Sequence, residues 1–110
     1  MIQDTLAKIE AKLRGAPSVR DEQREELLKL VGTLKAEVAD LSKTQHEQAQ
    51  SIAGFTELSA HEATKAKKDP ELLRHSLGGL SASVLKLEKT HPQLVEIVNR
   101  ICVALSNLGI

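Results

Sequence analysis

Apolar residues recur at alternating spacings of four and three along most of the chain, and only Pro17, Pro70 and Pro92 interrupt them. That spacing stacks side chains along one face of an α-helix, whereas a strand would scatter them over both of its faces. Each proline lacks an N–H and pushes the preceding residue out of helical geometry, so each marks a helix boundary. The class is therefore all-α, a single domain over 1–110 with predicted helices at about 2–14, 19–67, 70–90 and 92–108.

In the first segment the stripe is Ile2, Leu6, Ile9 and Leu13, ended by Gly15 and Pro17. In the second, Ser18-Val19-Arg20-Asp21 resembles a capping box. Leu27, Val31, Leu34, Val38 and Leu41 then hold one register, which passes through Gln45 and Gln48 and is restored at Ile52 and Phe55. No proline falls between Pro17 and Pro70. Acidic Asp21, Glu22, Glu25 and Glu26 open this stretch and basic Lys65, Lys67 and Lys68 close it, the arrangement a helix macrodipole favours. The expectation is one long central helix over 19–67, a rod of about 70 Å, with a break near Ser51 to Phe55 as the alternative. Gln45 and Gln48 either set the register of a coiled-coil-like seam or lie in an exposed stretch.

The third segment begins at Asp69-Pro70, a cap followed by a first-turn proline. It carries Leu73, Leu77, Leu80, Val84 and Leu87, with Gly78-Gly79 inside the stripe read as a point of close helix packing or a local kink, ahead of a functional hinge. After His91-Pro92 come Leu94, Val98, Ile101, Leu105 and Leu108, joined by Val95, Ile97, Cys102 and Val103. So broad an apolar face implies more than one partner helix. Antiparallel folding would lay the last helix and the first against the long helix, giving an elongated hairpin bundle. An elongated chain of this size buries little surface, and self-association as a two-fold homodimer is the expected remedy.

Composition excludes several functions. Fifteen Lys and Arg balance fifteen Asp and Glu, and one Phe is the sole aromatic residue. A phosphate-backbone binder shows a basic excess, and a single-strand binder needs aromatic platforms, so no nucleic-acid partner is expected. The sequence shows neither a signal-peptide pattern nor a run long enough to span a membrane, and one cysteine allows no internal disulfide; the expected location is the cytoplasm.

Each candidate for chemistry has a plainer reading. His46-Glu47 and His61-Glu62 begin like a zinc H-E-x-x-H motif, but the closing position holds Gln50 and Lys65. His61 and Glu57 lie one turn apart, a common surface arrangement. Cys102 falls in the apolar sector of the last helix, where a cysteine acts as a small hydrophobe. The reading is no enzyme, no metal, no cofactor and no small-molecule substrate.

The C-terminal run Glu88-Lys89-Thr90-His91-Pro92-Gln93-Leu94, with Ile97, Ile101 and the closing Leu105-Ser106-Asn107-Leu108-Gly109-Ile110, resembles an uncharacterised bacterial family of short all-helical proteins. The amphipathic helix, Gly/Pro turn and second helix at 2–41 look similar too. The stretch 44–68 is longer than in the short members. The resemblance implies the helical class and no activity.

These readings converge on a non-enzymatic helical module for self-association or for binding an unidentified protein. Its interface and core residues would be Leu27, Val31, Leu34, Val38, Leu41, Ile52 and Phe55 on the long helix. Opposite them would lie Leu77, Leu80, Val84, Leu87, Leu94, Val98, Ile101 and Leu105. The alternative is a peripheral lipid-surface binder using the wide face of 92–108, disfavoured because Arg100 is the sole lysine or arginine there.

Overall fold

A computed structural model describes residues 2–109; Met1 and Ile110, the last residue of the Leu-Gly-Ile ending, lie outside the described residues. The described residues form α1 (Ile2–Gly15), α2 (Asp21–Ser42), α3 (His46–Thr64), α4 (Pro70–Ser83), a 3-10 turn (Leu85–Leu87) and α5 (Pro92–Gly109), with no strand among them. The bundle measures 37 × 24 × 22 Å. The elongated architecture expected from the sequence is thus replaced by a compact one, and the long helix is the reason.

The predicted 19–67 helix is two helices folded back on each other. α2 ends at Ser42, and Gln45, with φ −137° and ψ 67°, turns the chain into α3. Neither proline nor glycine marks the turn. The amides of Thr44 and Gln45 both bond the Leu41 carbonyl, at 3.1 and 2.8 Å, and the Ser42 hydroxyl meets His46 Nδ1 across it at 2.9 Å. The Thr44 hydroxyl donates to the same carbonyl at 3.5 Å, a local side-chain bond of the kind that competes with the helical ladder. A straight rod would hold every ladder bond but leave Ala49, Ile52, Ala53, Ala60 and Ala63 uncovered on one side. All five are buried in the folded-back arrangement. In water that burial outweighs a few terminal hydrogen bonds that solvent can replace.

Folding back also rotates α3 relative to the expected stripe. Its inward face is Ala49, Ile52, Ala53, Thr56, Ser59, Ala60 and Ala63. Small side chains there let four helices approach closely: α3 packs against α1, α2, α4 and α5, and no other helix touches all the rest. Phe55, placed in the core by the four-three register, is instead 38% exposed. Its ring lies over Gly79 of α4, where an added Cβ would collide with the ring. Gly79 thus serves close helix packing, as expected of the Gly78-Gly79 pair, while Gly78 faces open space.

The two polar residues on the seam separate. Gln45 is exposed, whereas half-buried Gln48 donates to the Ser83 carbonyl at the end of α4. That carbonyl is among the last four of its helix and lacks an intrahelical partner, so the bond caps α4 from a neighbouring helix. α4 accordingly stops at Ser83 rather than running to residue 90, and the chain reaches Leu87 through the 3-10 turn.

The caps explain the remaining boundaries. Asp69 Oδ1 accepts from the amides of Glu71 and Leu72 at 3.1 and 3.2 Å, with Pro70 in the first turn. His91 stands just ahead of α5, its carbonyl accepting from Val95 at 3.2 Å. The expected Ser18–Asp21 capping box is not formed; Arg20 is the cap residue, and its amide donates to Gln23 Oε1 at 3.4 Å. The α1–α2 turn is held instead by Arg24. Its Nε donates to the Leu13 carbonyl at 3.0 Å, and one terminal nitrogen to the carbonyls of Ala16 and Val19, both at 2.8 Å. At the far end Lys68 Nζ donates to the Leu108 carbonyl at 2.8 Å, tying the α3–α4 turn to the last turn of α5.

The core gathers most of the predicted residues. Leu27, Val31, Leu34, Val38, Leu41, Ile52, Leu80, Val84, Leu87, Leu94, Val98, Ile101 and Leu105 are all buried, and Leu77 is half-buried against them. α5 packs on α2, as antiparallel folding requires, and also on α3 and α4.

Candidate functional site

With its broad apolar face turned inward, α5 has one edge left over. Leu94, Val98, Ile101 and Leu105 point into the bundle, and beside them Val95, Asn99 and Val103 form a ridge at four-residue spacing along its flank. Val103 is 62% exposed, among the most exposed large apolar side chains of the chain. Beside the ridge runs an open groove of about 630 Å³, walled by Glu26 of α2 and by Glu88, just ahead of α5. Its lining is largely apolar, with Pro92, Val95 and Val103, and includes Asn99 and the pair Glu96–Arg100 at 2.8 Å.

A second groove of about 650 Å³ continues from Glu26 along α2, lined by Glu22, Glu25, Leu28 and Lys29. The two meet at Glu26. Around the joined surface stand five carboxylates, those of Glu22, Glu25, Glu26, Glu88 and Glu96, against two cations, Lys29 and Arg100. One of those cations is already engaged by Glu96. A chain of zero formal charge thus gathers a local negative excess over an apolar floor.

The residues singled out for chemistry are scattered. Cys102 is half-buried, its Sγ 3.9 Å from the Leu77 carbonyl, and burial pushes its thiol above the ordinary value, away from the reactive thiolate. His46 meets Ser42, and His61 Nδ1 lies 3.0 Å from Lys12 Nζ on the outer surface between α1 and α3. His91 Nδ1 contacts its neighbour Thr90 at 3.0 Å. Among the described residues no three His, Cys, Asp or Glu side chains are grouped to hold a metal ion. The buried Glu62 pairs with Lys65 one turn on, and the hydroxyl of buried Ser59 has no hydrogen-bond partner. Neither side chain lines any of the grooves along α2 and α5.

Sequence reasoning missed the groove because its walls come from three separated stretches. The signal available was the surplus width of the α5 apolar face, which four core positions do not use up. Among the described residues no helix is long and apolar enough to cross a membrane. Compared with protein-family profiles, curated proteins and solved structures, the chain matches none.

Proposed function

We propose that this chain is a non-enzymatic helical protein-interaction module whose binding surface is the α2–α5 groove. The observation that carries the reading is the exposed Val103, in line with half-buried Val95, bordering an open, largely apolar groove on a helix whose opposite face is packed into the core. Exposed apolar surface arranged in a groove, rather than scattered singly, is the usual mark of a binding site. The groove has the length and ridge spacing for a helix: residues 92–103 rise about 17 Å, three turns, and helices pack by setting ridges into grooves.

Self-association through this surface is part of the same proposal. Its original motive, an elongated fold too thin to be stable alone, no longer applies to a bundle of 37 × 24 × 22 Å. The lipid-surface alternative would use the wide face of α5, and Leu94, Val98, Ile101 and Leu105 of that face are packed inside.

Backbone amide shifts of residues 88–103 test the proposal, recorded against the protein's own concentration and against helical peptides of differing charge. Light scattering reads the mass in parallel. Shifts confined to those amides, with or without a mass near twice 12.0 kDa, support an interaction surface. Amides that respond to neither, up to about 1 mM, refute it.

A further inference from the structure

We infer that the occupant of the groove is a basic amphipathic helix from another protein, an assignment that rests on the interaction reading above. Val95 and Val103 in one groove and Leu28 in the other offer apolar contact to apolar side chains of a docked helix. The rim decides their neighbours. Glu22, Glu25 and Glu26 stand on the α2 side with Lys29, and Glu88 at the head of α5, four carboxylates to one cation, none of them in an ion pair among the described residues. A helix lying in the groove brings its flanking residues against that rim from both sides. Lysine or arginine there meets an opposite charge, and glutamate or aspartate meets a like one, so the rim selects for positive flanks and disfavours acidic ones.

Charge complementarity also argues against other occupants. An anionic lipid surface would be repelled by the carboxylates that line both sides. A second copy would have to present a basic apolar helix, and the corresponding α5 flank of this chain carries Glu96 beside Arg100. Lys65, Lys67 and Lys68 form the most basic stretch, yet Lys65 is paired with Glu62 and Lys68 caps α5, so two of its three lysines are engaged within the bundle.

The test uses the full chain and two synthetic peptides of about 14 residues, one of Leu and Lys at amphipathic spacing and one with Glu for every Lys. Affinity is measured by calorimetry, and the site is read from amide shifts. The Leu/Lys peptide is expected to shift residues 88–103 and 22–29 and to bind at least about tenfold more tightly than the Leu/Glu peptide. The double variant Glu26→Lys, Glu88→Lys should reverse that preference, and its circular dichroism should match the parent because both sites are exposed. Raising salt from about 50 to 500 mM should weaken the Leu/Lys peptide more than the Leu/Glu one. Equal binding of the two peptides, an unchanged preference in the double variant, or shifts centred on Phe55 and Leu58 would overturn the assignment. Concentration-dependent self-association through the same amides would overturn the basic partner and leave the interaction module standing. Silence of the groove towards both peptides and itself overturns both.

Discussion

Replacing Arg24 with alanine removes a guanidinium that donates to three carbonyls of the α1–α2 turn, those of Leu13, Ala16 and Val19, at 2.8 to 3.0 Å. A hydrogen bond from a charged donor contributes about 1.5–3 kcal/mol when the acceptor would otherwise be left dry. Three such terms do not add in full here, because Gly15, Pro17 and Ser18 are exposed and water can reach part of the turn. The 2.7 Å pair with Asp21 adds little, since that carboxylate is 96% exposed. The expected cost of Arg24→Ala is therefore about 2–3 kcal/mol, which for a chain of this size lowers the melting temperature by about 10 °C. Arg24→Lys should recover less than half of it, because a single ammonium on a flexible stem cannot span three carbonyls set by one planar fork. Urea and thermal unfolding followed by circular dichroism at 222 nm measures both variants, the chain having no Trp or Tyr to report by fluorescence. A loss below about 0.5 kcal/mol in Arg24→Ala, or full recovery in Arg24→Lys, would refute the claim that the fork holds the turn.

Neighbouring glycines of α4 should answer differently to alanine. Gly78→Ala, entering open space, should stabilise by about 1 kcal/mol in urea titrations, whereas Gly79→Ala displaces the Phe55 ring and should gain nothing or lose stability. Small-angle scattering should give a radius close to the 12.8 Å of the Cα trace, against about 20 Å for a straight helix over 19–67. Burial raises the Cys102 thiol, so the fold favours its neutral form. That contribution is complete below the unfolded thiol range of about 8.5 and is lost as pH rises through the higher folded value, so stability should fall more steeply with pH above that range than in Cys102→Ala. Parallel curves for the two proteins across that range would count against the burial argument.

The helical class and most boundaries were legible because their causes are local: a four-three stripe, a proline, an aspartate ahead of Pro70. The turn at residues 43–45 was not, because no residue there forbids a helix. It exists because folding back covers α3, and that gain belongs to the tertiary structure. The face α3 buries was also hidden, since Ala49, Ala53, Ala60 and Ala63 look neutral beside Ile52 and Phe55 in any hydrophobic count. Size, rather than hydrophobicity, selected that face: four neighbours leave no room for a phenylalanine, and Phe55 was pushed to the edge over the one glycine that accepts its ring. The α2–α5 groove was illegible for a third reason. Glu26, Glu88 and Val103 are dispersed in the chain, and only the packing of α5 on α2 brings them together.

The position of α3 sets how the molecule comes apart. A helix whose inward face is mostly alanine, serine and threonine contributes little apolar area of its own, so it cannot outlast its neighbours. Detaching any one of α1, α2, α4 or α5 bares it, and its loss leaves α1 held by α2 alone. Local opening therefore has few intermediate stops. Amides of α3, which no single surface helix protects, should exchange with solvent at the rate of global unfolding, although the helix is built from side chains that hydrophobicity scales rank as unremarkable.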